Sequence, residues 1–332
     1  MNFSILKNQT FSNYDSCRSI ILNRKPVSIS ISIFNLLFNT LNIIIFFNLI
    51  NKNRKNYFYR YFMIKSITDL YCGIHFIIRS WVLDLKLNSV FYSSSKEIMI
   101  CFIIFSRYMG FVVQLISKVT ECFISYDRFI ILKPSNRNSS SKTSKIIYCL
   151  LIIFSFIFYI YKFFQNRVPI VKIEHNITFY SVETRPEKVF KYIDFLHSFM
   201  KDFLCLLISF IFNLINLYSI LGFSKKKRYL TKNDKKSKID KINKHDLKII
   251  IMIIISTTIS IIGHWSNFIT FIPIEPNIFL NTCFEVVTYF FVEVSYAGNF
   301  IIYIIFNKLF RVTLLKMSGL KTNIKCESTG TF

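Results

Sequence analysis

Residues 249–262 read IIIMIIISTTISII, a run of apolar and hydroxyl side chains that contains no charge. With its neighbours on both sides, the run reaches the length of about 20 residues that an α-helix needs to cross a bilayer. Hydrophobic residues make up 52% of the 332-residue chain, and a soluble fold of this composition would expose more apolar surface than globular proteins tolerate. The stretch therefore predicts a helix embedded in a membrane.

Apolar runs of similar length recur along the chain and predict a helical bundle over residues 27–306. The seven predicted spans are 27–50, 58–83, 98–127, 145–164, 195–222, 247–272 and 278–306. A short amphipathic helix, 307–317, is predicted on the membrane surface after the last span, and residues 318–332 form a tail. The predicted fold class is an all-α membrane protein, a seven-transmembrane helix bundle.

Basic residues give the predicted bundle a direction. The formal net charge is +24, and the lysines and arginines lie mostly between the apolar runs, most densely in residues 222–248. The positive-inside rule places the basic loops and the tail in the cytoplasm and residues 1–26 outside, which predicts a multi-pass protein of the plasma membrane. Asn2, Asn8 and Asn176 begin N-x-Ser/Thr glycosylation acceptors, and all three fall on the predicted outer face.

Several function classes find no support in the sequence. The basic residues lie between apolar runs and no nucleic-acid-binding motif accompanies them, which argues against nucleic-acid binding. The eight cysteines form no C-x-x-C pair. No nucleophile–base constellation, metal-ligand spacing or glycine-rich phosphate loop is present in the sequence, so neither an enzyme nor a tightly bound cofactor is predicted.

Short motifs stand in three of the predicted spans. Asp127 and Arg128 end the third span, Trp265 lies in the sixth, and Asn299 precedes Tyr303 by four positions in the seventh. They resemble the Asp-Arg-Tyr, Cys-Trp-x-Pro and Asn-Pro-x-x-Tyr motifs of the rhodopsin-like (class A) G-protein-coupled receptors. The resemblance implies that these five residues take part in activation and G-protein coupling.

The chain also departs from this family. Phe129 replaces the tyrosine of the first motif, and Asn267 and Phe300 replace the prolines of the other two. Because those prolines are missing, the sixth and seventh helices are expected to bend less at these points. The diverged, Phe- and Ile-rich sequence resembles an invertebrate chemosensory or peptide receptor.

Polar residues inside the predicted spans carry a further expectation. The resemblance implies a site for an allosteric sodium ion beneath Trp265, formed by Asp69, Ser117, Ser295 and Asn299. A buried carboxylate needs a cation or several hydrogen-bond donors, so an ionisable residue in mid-span is by default functional. The alternative is that Asp69 merely pairs with a neighbouring side chain, either Asn42 or Lys65.

Two further charges, Lys118 and Glu121, lie at positions i and i+3 of the third span and can pair on one helix face. Each would cost roughly 2.5–3.5 kcal/mol if it faced lipid. Both a pair that locks the inactive bundle and a ligand contact agree with this spacing.

The resemblance places a ligand pocket between the outer ends of the second, third, sixth and seventh spans. Its expected lining comprises Arg79, Arg107, Gln114, Phe268 and Glu293. A pocket with both an arginine and a glutamate suits a peptide or a zwitterionic small molecule; alternatively the two charges pair and leave a mostly aromatic pocket. Gly110 stands where amine receptors carry an aspartate, and Glu293 stands where opsins carry the retinal lysine, so neither ligand class is expected.

The outer cysteines leave the disulfide pattern open. The family ties its third span to the second outer loop, but residues 165–194 contain no cysteine. Cys17, Cys101 and Cys283 are the three outer candidates, and Cys17–Cys283 is one candidate pairing.

The resemblance implies a receptor that binds an extracellular peptide or small chemosensory molecule and activates a heterotrimeric G protein. Membrane lipids would contact the lysine-rich inner loops, and an arrestin would bind a phosphorylated tail. Two other seven-span functions stay open. An ion-coupled transporter would use Asp69, Lys118, Glu121 and Glu293 as an ion path, although no internal repeat is visible. An odorant-type ligand-gated channel would place the N-terminus inside, which the loop charges oppose.

Overall fold

The computed structural model describes most of the chain. The backbone is described for residues 3–52, 57–88, 95–132, 140–174, 177–180, 183–184, 188–230, 236–269 and 278–319. Side chains are described for residues 26–52, 59–78, 95–130, 146–169, 189–222, 247–269, 287–288 and 290–319. Of the predicted features, those outside the described residues are Asn2, Asn176, the tail beyond residue 319 and the side chains of Asn8, Cys17, Arg79 and Cys283.

Helices account for nearly all of the described chain. They are α1 (Phe3–Lys52), α2 (Tyr57–Asn88), α3 (Lys96–Phe102), α4 (Met109–Leu132), α5 (Ser140–Phe158), α6 (Tyr161–Gln165), α7 (Lys188–Ser198), α8 (Cys205–Leu230), α9 (Lys236–Ile269), α10 (Ile278–Ala297), α11 (Asn299–Phe306) and α12 (Lys308–Met317). Two π-helical turns, Ile103–Tyr108 and Phe199–Leu204, join α3 to α4 and α7 to α8. Each π-helical turn thus lies inside one long helical column.

The long helices close a ring. α1 packs on α2 and α10, α2 packs on α4, α4 packs on α8, and α9 packs on both α8 and α10. α5 packs against α4. The ring brings residues of α2, α4, α9 and α10–α11 to a common interior, although they are far apart in the sequence.

Five segments of the described chain are long and apolar enough to cross a membrane. They are Pro26–Lys52, Lys96–Ile130, Ile146–Gln165, Val189–Gly222 and Leu247–Ile269. The last column contributes a shorter apolar stretch, Phe290–Phe306. α2 is long as well, but its described part carries Lys65, Asp69 and His75, whose polar side chains lower its mean hydropathy. Helix length and composition thus define a membrane-embedded, multi-pass helical protein.

The distribution of polarity in the bundle is the reverse of that in a soluble protein. Large apolar side chains such as Phe47, Phe105 and Leu150 are more than half exposed, whereas Lys65 and Asp69 are almost completely buried. In a bilayer the exposed apolar side chains face lipid, and the polar groups of the interior must satisfy one another. The inward-facing polar residues are therefore where function is to be sought.

An aromatic cluster joins α1 and α2 to α11 and α12. The ring of Phe46 lies 5.5 Å from that of Phe62, 5.4 Å from that of Tyr303 and 5.4 Å from that of Phe310, and all four side chains are buried. Such aromatic pairs add about 0.5–1.5 kcal/mol each beyond the burial of their area. The Asn307 side chain accepts from the Phe310 N–H at 3.1 Å and caps α12. α12 therefore folds back onto α1.

Two small antiparallel sheets depart from the all-α prediction. β2 (Ile170–Glu174) pairs with β3 (Ile177–Tyr180), and β1 (Asn166–Arg167) pairs with β4 (Glu183–Thr184). The sequences IVKIE and ITFY are rich in β-branched and aromatic residues, which favour strands. The strands lie between α6 and α7, in a segment for which the sequence predicted only an outer loop.

Helix ends also differ from the predicted spans. α1 begins at Phe3, well inside the predicted N-terminal segment 1–26, and α9 begins at Lys236, inside the predicted loop 222–248. Apolar run length detects only the part of a helix that lipid surrounds. Lysine-rich segments read as loops on a hydropathy scale, although lysine has a good intrinsic helix propensity.

Candidate functional site

The carboxylate of Asp69 lies at the meeting point of α2, α4 and α11. It accepts a hydrogen bond from the Ser117 hydroxyl at 2.6 Å and from the Asn299 side-chain amide at 3.1 Å. Ser256 of α9 in turn donates to Asn299 Oδ1 at 2.6 Å. All four side chains are buried. Four helices are thus linked through one carboxylate and its partners.

Lysine ammonium groups supply the positive charge at this point. Lys65 Nζ lies 3.3 Å from Asp69 Oδ2 and 3.4 Å from Glu121 Oε2, and Lys118 Nζ lies 3.8 Å from the same Glu121 oxygen. Ser260 of α9 donates to Glu121 Oε2 at 3.2 Å. We call this group the Asp69 cluster; it comprises Lys65, Asp69, Ser117, Lys118, Glu121, Ser256, Ser260 and Asn299.

The residues of the Asp69 cluster do not fit a sodium ion. The Ser295 hydroxyl donates to the backbone carbonyl of Val292 at 2.7 Å, so it is turned away from Asp69. The ammonium of Lys65 also lies within 3.4 Å of Ser117 Oγ, at the place where a cation would be held. Two unit charges 4 Å apart repel by about 4 kcal/mol at an effective dielectric constant of about 20. A sodium ion beside Asp69 would meet this repulsion.

Asn42 was one of the two alternative partners of Asp69. Its side-chain amide donates to Asn39 Oδ1 at 3.2 Å, whereas Lys65 forms the ion pair with Asp69. Asn35 contacts Asp69 as well, by donating to the Asp69 backbone carbonyl at 3.2 Å. α1 therefore lies close to Asp69 through Asn35. The positive charge beside the Asp69 carboxylate comes from Lys65, one helical turn earlier in α2.

The predicted activation residues take different positions. Asp127 and Arg128 lie near the end of α4, where they interact electrostatically and are partly buried. Trp265 stacks on Phe203 with ring centroids 4.9 Å apart. Tyr303 is only 1% exposed within the aromatic cluster of α1, α2 and α12, so in this conformation it is not part of an accessible surface.

α10 and α11 together form the predicted seventh span, in which Phe300 replaces the proline of rhodopsin-like receptors. α10 and α11 are separated by Gly298 alone, whose φ and ψ of −66° and −22° remain in the right-handed helical region. Its N–H donates to the Val294 carbonyl at 2.9 Å, and the Ile302 N–H donates to its own carbonyl at 3.2 Å. These two hydrogen bonds keep α10 and α11 in one helical segment at Gly298, and the expected reduction of the bend stays a prediction.

α9 and α10 approach each other closely at Gly263. A Cβ atom at this position would lie 2.8 Å from the Phe291 carbonyl oxygen. Only glycine allows this backbone approach. The contact sets the distance between α9, which carries Trp265, and the helical segment α10–α11, which carries Asn299.

Another buried carboxylate, that of Asp202, lies in the π-helical turn between α7 and α8. It lies 2.7 Å from His264 Nδ1, 3.4 Å from Lys201 Nζ and 2.9 Å from the Ser198 hydroxyl, which donates to it. Asn267 donates to it at 3.2 Å. We call these five residues the Asp202 cluster. It joins α7–α8 to α9 directly beside Trp265.

A third group, the Asp194 cluster, lies between α6 and α7. Lys162 Nζ and Tyr161 Oη lie 2.6 Å and 2.5 Å from Asp194 Oδ1, and Gln165 donates to Oδ2 at 2.7 Å. His197 Nδ1 lies 2.9 Å from Tyr161 Oη. This cluster comprises Tyr161, Lys162, Gln165, Asp194 and His197.

A narrow cavity separates the Asp194 cluster from Lys201. It has room for about one water molecule, and its lining residues are Phe111, Tyr159, Tyr161, Lys162, Asp194, His197, Ser198 and Lys201. Both ammonium groups approach the Phe111 ring, at 4.6 Å for Lys162 and 5.5 Å for Lys201. The hydroxyl of Tyr159 is buried and finds no partner among the described side chains. The cavity thus combines aromatic walls with hydrogen-bond donors.

The predicted pocket residues do not form one lining. Gln114 accepts from Lys201 Nζ at 2.8 Å, and Phe268 packs among the aromatic rings of Phe195, Phe199 and Phe203. Glu293 is buried and accepts from the Ser28 hydroxyl at 2.7 Å. Arg107 is partly buried in the π-helical turn before α4. Gln114 joins the charged groups beside the cavity, and the charge of Arg107 lies close enough to act on Lys162 there.

Sequence reasoning missed the Asp202 and Asp194 clusters and their link to the Asp69 cluster. The ring of Tyr296 lies edge-on to His264 at 5.5 Å, and Lys118 Nζ lies 4.9 Å from its centroid, so Tyr296 stands between two clusters. One signal was available: Lys201, Asp202 and His264 are ionisable residues inside predicted spans. No motif singles them out.

Comparison with known proteins gives no family for the chain. No family model matches it, and no curated protein matches it significantly. Function must therefore be argued from the residues and their geometry.

Proposed function

We propose that the protein is a seven-span receptor of the rhodopsin-like type, which binds a ligand outside the cell and activates a heterotrimeric G protein inside. The observation that carries the proposal is the Asp69 cluster. Asp69, Ser117 and Asn299 were selected by their spacing from short motifs, and they lie within hydrogen-bonding distance although 230 residues separate the first from the last. Their meeting at one point of the bundle supports the resemblance.

The proposed topology places residues 1–26 outside and the tail inside. The loops rich in lysine and arginine then lie in the cytoplasm, as the positive-inside rule requires. In this orientation Arg128 lies at the inner end of the bundle, where a G protein binds. The Asp194 cluster and its cavity lie at the outer end, where a ligand arrives.

The donors beside the cavity suit a ligand with hydrogen-bond acceptors, and such a ligand would have to widen the cavity, which has room for about one water molecule. Lys162 and Lys201 each have three donors, and the described contacts use two of them in each case. The buried Tyr159 hydroxyl offers another donor. A small chemosensory molecule or the end of a peptide that carries a carbonyl or carboxylate oxygen would complete these bonds.

The route from this cavity to the inner end runs through the described contacts. Lys201 contacts Asp202, Asp202 contacts His264 of α9, and α9 reaches the Asp69 cluster through Ser256 and Ser260. A ligand that competes for Lys201 would change the forces on α9. Movement of α9, the helix of the predicted sixth span, would thereby be coupled to ligand binding without a proline hinge.

The proposal is tested without a ligand by removing the acid beside Arg128. In Asp127→Asn the arginine loses its neighbouring negative charge, which should free it for a G protein and raise ligand-independent nucleotide exchange severalfold. The double variant Asp127→Asn/Arg128→Ala should lose that gain. Nucleotide exchange on purified G protein is measured at equal amounts of receptor in the membrane.

The matched control replaces a different arginine on the same side of the bundle. Arg60 is exposed at the start of α2, and Asp127→Asn/Arg60→Ala should keep the raised exchange. If exchange does not rise in Asp127→Asn, or if the rise survives the loss of Arg128, the assignment of this motif to G-protein coupling is wrong.

A further inference from the structure

The side chain of Lys65 ends among oxygen atoms from two helices. Its Nζ lies 3.3 Å from Asp69 Oδ2, 3.4 Å from Ser117 Oγ and 3.4 Å from Glu121 Oε2. The side chain is 2% exposed. A carboxylate, a hydroxyl and a second carboxylate are the kinds of oxygen that would surround a small cation. In this protein they surround an ammonium group of the chain itself.

The charges of the Asp69 cluster balance without any added ion. Two ammonium groups, of Lys65 and Lys118, face two carboxylates, of Asp69 and Glu121. Buried charges are tolerated when they are paired and satisfied by hydrogen bonds. One more cation would leave an unpaired positive charge in the interior of the bundle.

The neighbours of Asp69 act as donors and so leave few lone pairs for a metal. Ser117 and Asn299 both donate to its carboxylate, and the ammonium of Lys65 has donors only. Asn299 uses its own oxygen to accept from Ser256. The resemblance to rhodopsin-like receptors implies a sodium ion here, and the donor set disagrees with it.

We propose that the ammonium of Lys65 is a built-in cation that stands in the place of this ion. It is fixed to α2 one helical turn before Asp69 and reaches across to Glu121 on α4, so it links the two helices permanently. An ion would exchange with solution, whereas this group cannot. The core of the bundle is therefore assembled without dependence on external sodium.

The experiment measures the thermal unfolding temperature of the purified full-length protein in sodium chloride and in choline chloride of equal concentration. The wild-type protein should unfold at the same temperature in both salts. In Lys65→Met the carboxylates of Asp69 and Glu121 face one ammonium instead of two. This variant should unfold earlier in choline chloride, and sodium should restore several degrees of its stability, with saturation.

The matched control is Lys201→Met, which removes another buried ammonium that is paired with an aspartate. It should be destabilised equally in both salts, because it leaves the Asp69 cluster intact. The double variant Lys65→Met/Asp69→Asn carries one carboxylate fewer. It should unfold later than Lys65→Met in choline chloride and should lose the response to sodium.

The unfolding temperatures of the wild-type protein and of Lys65→Met each test whether Lys65 occupies a cation site. A saturable rise of the wild-type unfolding temperature in sodium would overturn the proposal, and this measurement needs no variant to fold. A Lys65→Met protein that sodium does not restore would also overturn it, because the ammonium would then not occupy a cation site. The readout requires neither ligand nor G protein, so it succeeds or fails independently of the proposed receptor function.

Discussion

The Asp69 cluster and the Asp194 cluster use the same ion pair in two different settings. In both, a lysine ammonium lies against an aspartate inside the helical bundle. The Asp69–Lys65 pair is almost completely buried, and further polar partners from other helices close around it. The Asp194 side chain is 23% exposed, and a cavity adjoins it. The difference indicates that one pair holds helices together while the other can be reached by water.

The Asp202 cluster lies between the Asp194 cluster and the Asp69 cluster and is in contact with the neighbours of both. Asp202 is fully buried like Asp69, but its partner Lys201 lines the cavity beside Asp194. Tyr296 then connects His264 to Lys118 of the Asp69 cluster by two ring contacts. The three clusters form one series through the bundle. The Asp194 cluster at one end is partly exposed, and the Asp69 cluster at the other end is buried. We expect substitutions to cost more at the closed, buried members of the series.

The largest effect is expected from the contrast between Asp202→Ala and Asp194→Ala. Loss of the Asp202 carboxylate leaves the Lys201 ammonium buried without its counter-charge, and breaking such a buried pair costs about 3–5 kcal/mol. Loss of Asp194 should cost clearly less, because the Asp194 side chain is 23% exposed and water can reach the space that it leaves beside Lys162. Thermal unfolding and the amount of protein at the cell surface measure both variants. Equal losses would contradict the distinction between a closed and an open pair.

A smaller effect is expected from Glu121→Gln, which weakens the closed end without leaving an acid unpaired. Glu121 Oε2 connects Lys65 of α2 to Ser260 of α9, so its neutralisation should loosen α9 from its neighbours. Ligand-independent G-protein activation should rise severalfold, since a change of about 1.4 kcal/mol in the balance between two states shifts their ratio tenfold.

The control for this variant is Tyr148→Phe. It removes the 2.7 Å hydrogen bond between Tyr148 and Thr120, a buried polar contact between α4 and α5 that involves no side chain of the Asp69 cluster. Basal activation should stay unchanged in Tyr148→Phe. A rise of similar size in both variants would mean that loosening any interior contact activates the protein, and the specific role of Glu121 would be lost.

Helix positions could be predicted from the sequence because lipid leaves a simple signal. An apolar run of about 20 residues marks a span whatever its partners are, and the five long apolar segments of the structure match predicted spans. The signal fails where a helix leaves the bilayer, as at Phe3 and Lys236, and where β-branched residues form the strands of residues 166–184. Those ends depend on solvent and on local propensity.

The candidate site could be predicted only in part, for a physical reason. Motif spacing selected Asp69, Ser117 and Asn299, whose side chains do meet. It failed for Ser295, because which way a hydroxyl turns depends on a competing acceptor, here the Val292 carbonyl. It also failed for Lys201 and Asp202, because a π-helical turn shifts the face that the following residues present. The hydrophobic periodicity of the sequence does not predict a π-helical turn at these residues.

Every part of the proposed function depends on the direction in which the bundle crosses the membrane. The most direct measurement places an epitope tag at each end of the chain and probes both tags with antibody in intact and in permeabilised cells. We predict that the N-terminal tag is accessible in intact cells and that the C-terminal tag is accessible only after permeabilisation, with glycosidase-sensitive sugar on Asn8 or Asn176. An N-terminal tag that is accessible only after permeabilisation would contradict the receptor topology and favour a ligand-gated channel of the odorant type.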